Sequence, residues 1–150
     1  MQSRTDAYKM GDTKIMCWLS KLFSNQATVE RPSPDIRIKP EQADTIIKLI
    51  KTVPGYENCF IAAIAPTNSM EPGIDDGMYV ILDPRPYLDL IVGDIIWYEH
   101  PSFKAIHRIT RIGLDNNGWF AETKGDNNSA KDPERVRPEH IKGVWRATID

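Results

Sequence analysis

The chain predicts a mainly β protein, built as a barrel or a folded antiparallel sheet with a helical arm on its N-terminal side. Three observations predict it. After Pro54, short apolar runs rich in Ile, Val, Tyr, Trp and Phe alternate with turn clusters, as short strands joined by tight connections do. Asp115-Asn116-Asn117-Gly118 lies between two such runs and is a strong hairpin signal. Apolar residues at helical spacing are confined to the chain ahead of Pro54.

Taken in order, residues 1–13 are polar, are punctuated by Gly11 and read as a loose arm. Residues 14–23 predict a short amphipathic helix with Ile15, Trp18, Leu19 and Leu22 on one side. Such a helix packs on its own domain or on a partner protein that tethers it, or makes peripheral contact with a membrane surface. Ser24 to Lys39 has linker composition, and Arg31-Pro32-Ser33-Pro34 favours an extended path. Pro40 opens a helix over 40–53, because proline suits a first helical position. Glu41 and Asp44 follow near its positive end. Ala43, Ile46, Ile47, Ile50 and Val53 make one apolar stripe, and Pro54-Gly55 stops the helix. Strands are expected at 58–65, 78–83, 94–99, 103–113, 118–124 and 141–148. The organisation is therefore an arm and linker over 1–39 and one domain over 40–150, with its β core at 58–148.

Composition bounds the function. With 150 residues, the chain can bury about two thirds of its extended surface, enough for a core. Hydrophobic residues make up 41% and charged residues 27%, as in an ordinary soluble globular protein. A net charge of −2 gives no general attraction to nucleic acid, and none is expected as a partner. The two cysteines, Cys17 and Cys59, lack CxxC spacing and read as thiols of a reducing compartment. No run of about 18 apolar residues predicts a transmembrane helix. Ile15-Met16-Cys17-Trp18-Leu19 is too short for a secretory core, so a cytoplasmic or otherwise soluble protein is expected, with peripheral membrane association through residues 14–23 as the variant. No metal or other cofactor is predicted.

The chemistry concentrates around Thr67-Asn68-Ser69-Met70-Glu71-Pro72-Gly73-Ile74-Asp75-Asp76-Gly77, a turn held between two expected strands. Turn chemistry of this density fixes a backbone, and a fixed loop presents a side chain in a defined place. A serine there needs a base within hydrogen-bond reach to act as a nucleophile. Of the three histidines, His100 precedes Pro101 in a turn and His140 follows Pro138-Glu139. His107 lies within Phe103-Lys104-Ala105-Ile106-His107-Arg108-Ile109. Strand alternation puts it on one face with Ala105 and Ile109, with Lys104 and Arg108 opposite. A histidine base wants an orienting carboxylate. Lys124-Gly125-Asp126-Asn127-Asn128-Ser129-Ala130-Lys131-Asp132-Pro133 offers two, and spacing does not choose between them. Lysine is the competing base when buried and neutral, but Lys104 falls on the wrong face and Lys124 reads as solvated or structural.

Ser69-Met70-Glu71-Pro72, the Gly93-Asp94 turn, Ile106-His107-Arg108-Ile109, and Lys124-Gly125-Asp126-Asn127-Asn128 with Asp132 stand in an order that resembles the type I signal peptidases. Histidine ahead of the arginine is similar to the archaeal and endoplasmic-reticulum branch. The bacterial branch and the related LexA-type peptidases carry lysine there. The resemblance spans about residues 60–146 and implies a serine endopeptidase that cleaves after small residues. It implies Ser69 as nucleophile, His107 as base, Asp132 as the carboxylate that orients it, and Asp126 as a second required carboxylate. It further implies Ser69 and Thr67 as oxyanion-hole donors, with Met70 and Pro72 shaping the substrate pocket. Its fold is a coiled, mostly antiparallel β structure, and its substrate is a polypeptide. The family normally carries an N-terminal transmembrane anchor, which this sequence does not predict.

Two other classes compete. A LexA-like self-cleaving regulator would bring a DNA-binding module, and residues before the core show no paired-helix signature. A non-catalytic binding or structural module would keep the fold without the chemistry.

Overall fold

The computed structural model describes Val29 and residues 38–150. The arm helix expected at 14–23, most of the linker and Cys17 lie outside the described residues.

Helix α1 runs Pro40–Ile50. Gln42 closes its first turn by accepting the Lys39 N–H on its side-chain carbonyl at 2.7 Å. The helix is shorter than the expected 40–53. Thr52 and Val53 close i→i−3 turns on Leu49 and Ile50 instead of continuing the α ladder. The cause is Pro54, whose ring disfavours the α region for the residue before it. Ala43 is buried, while Ile46, Ile47 and Ile50 are half-buried and Val53 is exposed.

Six strands follow: β1 Phe60–Ala63, β2 Tyr79–Asp83, β3 Ile95–His100, β4 Phe103–Asp115, β5 Gly118–Lys124 and β6 Ile141–Ile149. They form one antiparallel sheet in the order β1-β2-β6-β3-β4-β5. The sheet is open, not closed into a barrel, so β1 and β5 are its edges. β1 is only four residues long, and short edges resist unwanted pairing. The outer side of β5 is partly covered, because Ala121 and Val136 exchange two backbone hydrogen bonds of 2.9 Å.

Side-chain alternation buries both faces of the sheet. Ile96, Tyr98, Ile109, Ala121 and Val144 join Leu90 and Val136 in one cluster. Val80, Leu82 and Ile95 join Met70 and Ile74 in a second, with Ile106, Trp97 and Trp145 packed against it. Neighbours such as Ile95 and Ile96, or Val144 and Trp145, thus serve opposite faces. Among the described residues no helix is long and apolar enough to cross a membrane.

Candidate active site

Three separate segments supply the site. Ser69 comes from the connection between β1 and β2, His107 from the middle of β4, and Asp132 from the connection between β5 and β6.

The turn that carries Ser69 is held from several directions. Asn68 adopts φ +55°, the left-handed conformation that asparagine tolerates better than most residues. This turns the chain just ahead of Ser69. Met70 anchors the other side, buried with Ile74, Val80 and Leu82. From the facing loop, Asn127 donates its backbone N–H to the Ser69 carbonyl at 2.9 Å and its side-chain amide to the Asn68 carbonyl at 3.0 Å. Gly125 permits this approach: a Cβ there would stand 2.6 Å from the Ser69 carbonyl oxygen.

Ser69 Oγ is 3.0 Å from His107 Nε2, and His107 Nδ1 is 2.7 Å from Asp132 Oδ2. Thr67 Oγ1 lies 3.3 Å from Ser69 Oγ. His107 is buried on the face that alternation assigns it, with Ile109, while Lys104 opposite is exposed and donates to Glu99 at 2.6 Å. Asp132 is placed by its backbone, whose N–H donates to the Thr123 carbonyl at 2.8 Å. Its Oδ2 also lies 2.6 Å from Thr123 Oγ1 and 2.8 Å from the Tyr98 hydroxyl. Burial alone would raise the Asp132 pKa. The hydrogen bond and charge of His107, with the two hydroxyls, outweigh burial and hold the carboxyl below its ordinary value.

The second carboxylate of the same loop goes elsewhere. Asp126 accepts two bonds from Arg108, 2.8 Å from Nε and 2.7 Å from Nη2, and Arg108 also donates to the Gly93 carbonyl at 2.8 Å. That bidentate pair pins the loop bearing Asn127 to β4. Pro72 is exposed, following a cis Glu71-Pro72 peptide. Lys124 Nζ donates to the Gly125 carbonyl at 3.1 Å. His100 and His140 meet edge to face, 5.1 Å between ring centroids, and each accepts a backbone N–H on Nδ1. A groove of about 310 Å³ between α1 and the β2–β6 pair, lined by Ile50, Val53, Tyr56, Ile81, Arg146 and Ala147, includes none of the Ser69–His107–Asp132 line.

Sequence reasoning missed Tyr98, Thr123 and Asn127. Alternation could have put Tyr98 and Thr123 on faces of their own strands. Their convergence needs the register, in which Ile96 opposes His107 and Thr123 opposes Ile109. Tyr98 and Thr123 are then the diagonal neighbours of His107 on two flanking strands. Asn127 sits inside the singled-out loop, but nothing in its spacing signals an amide aimed at the serine turn.

No protein-family model matches the chain. No curated protein matches it either.

Proposed function

We propose that the protein is a serine endopeptidase of the type I signal peptidase kind, working by a Ser-His-Asp mechanism on polypeptides and cutting after small residues. The observation that carries the reading is the unbroken line from Ser69 Oγ through His107 to Asp132, with both steps at hydrogen-bond length. The order of the motif blocks supports the kinship, and the antiparallel sheet agrees with the coiled β fold it implies.

In this reading Ser69 Oγ attacks the scissile carbonyl while His107 Nε2 takes its proton. The Ser69 backbone N–H and the Thr67 hydroxyl face the developing oxyanion. The imidazolium, stabilised by Asp132, then gives its proton to the leaving amine as the C–N bond breaks. Water attacks the resulting acyl-serine with His107 again as base, releasing the acid and restoring Ser69. Met70 sets the floor under the nucleophile and Pro72 shapes its outer turn. Asp126 acts through Arg108 to hold the loop rather than touching His107.

The test incubates the purified full chain with a peptide library and maps cuts by mass spectrometry. Cleavage in trans is expected, with Ser69→Ala and His107→Ala each lowering the rate about 10⁴-fold or more. Near-normal cleavage by either folded variant sinks the mechanism.

One contact favours a second reading, self-cleavage in the manner of a LexA-type regulator. The Val29 carbonyl accepts from the Asn127 side-chain amide at 2.6 Å, and the same amide holds Asn68 beside the nucleophile. Val29 therefore lies at the edge of the serine turn. Intact-mass measurement over time separates the readings: a single cut near Val29, absent in Ser69→Ala, marks self-cleavage.

A further inference from the structure

Asp132 Oδ2 receives three polar atoms: His107 Nδ1 at 2.7 Å, Tyr98 Oη at 2.8 Å and Thr123 Oγ1 at 2.6 Å. The two hydroxyl oxygens lie 3.1 Å apart. Each hydroxyl has one proton, and an ionised carboxylate only accepts. With Asp132 ionised, the 2.6 Å contact requires Thr123 to donate to it, and the 2.8 Å contact requires the same of Tyr98. Neither proton is then left for the other hydroxyl. The third contact must also carry a proton, so His107 Nδ1 bears the hydrogen. In the neutral ring Nε2 is then an unprotonated acceptor, and it is the atom that faces Ser69 Oγ.

Neither hydroxyl is at the surface. Tyr98 and Thr123 both have 0% exposure, on β3 and β5 either side of the histidine strand. Burying two hydroxyls is costly unless each is bonded, and a charged acceptor gives the strongest bonds available to them. A cradle of three donors on one oxygen favours the anion over the acid.

We propose that Tyr98 and Thr123 are positioning residues that keep Asp132 Oδ2 an ionised, oriented acceptor and thereby lock His107 in the Nδ1–H tautomer. This inference rests on the serine peptidase reading for its kinetic consequence, but not for its spectroscopic one. Burial and the neighbouring Asp132 charge push the Tyr98 phenol well above its ordinary range, so it stays a donor across neutral pH. Replacing either hydroxyl leaves the carboxylate under-bonded and free to rotate. The imidazole then samples the Nε2–H form, which cannot take a proton from serine.

The experiment compares Tyr98→Phe, Thr123→Val and the conservative Thr123→Ser by imidazole ¹⁵N NMR and peptide-cleavage kinetics, on full-length protein with matched circular dichroism. Wild type is expected to show one Nδ1–H tautomer. Tyr98→Phe and Thr123→Val should each show mixed tautomers and lower kcat about tenfold with KM unchanged, the loss expected for one bond to a charged group. Thr123→Ser should restore both readouts, which a purely packing role for the threonine methyl would not allow. A wild-type tautomer in folded Tyr98→Phe and Thr123→Val overturns the inference, even if wild type cleaves peptides. Mixed tautomers in a protein that cleaves nothing uphold the inference and refute the peptidase reading. If Thr123→Val fails to fold, Tyr98→Phe with Thr123→Ser as control decides.

Discussion

At the scale of single residues, two aspartates of one loop have separate work. Asp132 lies against His107 with its side chain buried, and Asp126 forks onto Arg108 nearer the surface. Asp132→Asn is expected to slow cleavage about 10³–10⁴-fold with a near-normal fold, by presenting the wrong hydrogen-bond pattern to His107. Asp126→Asn removes a half-exposed ion pair worth about 0–1 kcal/mol and relaxes the loop, so its rate should fall far less. Thermal melts and cleavage rates of the two variants check the contrast; equal kinetic losses would move Asp126 into the reacting centre. Gly125 is the other sensitive position. A methyl group there meets the Ser69 carbonyl at 2.6 Å and the Asn128 side chain at 2.7 Å. Backbone has to move, so Gly125→Ala should cost about 1–3 kcal/mol by chemical denaturation and displace Ser69.

At the scale of elements, β4 organises the site. It is 13 residues long, pairs with β3 on one side and β5 on the other, and carries His107 and Arg108 on opposite faces. Its far end is the hairpin to β5, where Asp115 accepts from both Arg135 and Arg137, and Arg135 stacks 4.0 Å above the Phe120 ring. The Arg137 hydrogen bond, aided by Asn117 and Arg135, holds the Asp115 carboxyl below its ordinary value. A depressed carboxyl adds stability above its unfolded pKa, about 3.9, and loses it as pH falls through the lower folded value. Asp132 shifts in the same direction. Wild type should therefore lose stability as pH falls below about 4, and Asp115→Asn should flatten that slope, as melts recorded against pH will show. An unchanged slope would mean the hairpin ion pairs do not couple to folding.

At the scale of the whole molecule, the sheet holds two clusters, one on each face, and its strands belong to both. Leu82 and Ile96 are each fully buried, in different clusters. Leu82→Ala and Ile96→Ala should each cost about 2–5 kcal/mol. Both should keep a single unfolding transition, because β6 contributes Val144 to one cluster and packs Trp145 on the other. Separate transitions by fluorescence and circular dichroism would show two independent units.

What the sequence determined by itself is local. Period-two alternation and turn residues located all six strands to within a few residues, and alternation put His107 and Lys104 on opposite faces. These follow from φ/ψ preferences and burial within a strand, which neighbours in sequence settle. Tertiary structure decided what depends on residues far apart in the chain. It placed β6 between β2 and β3 and left the sheet open where a barrel was an alternative. It also chose between the two loop carboxylates, giving Asp132 to His107 and Asp126 to Arg108. That choice is made by strand register and by the hydroxyls of Tyr98 and Thr123, partners drawn from β3 and β5. A hydrogen bond reads a distance of about 3 Å in space, and no spacing along the chain encodes it.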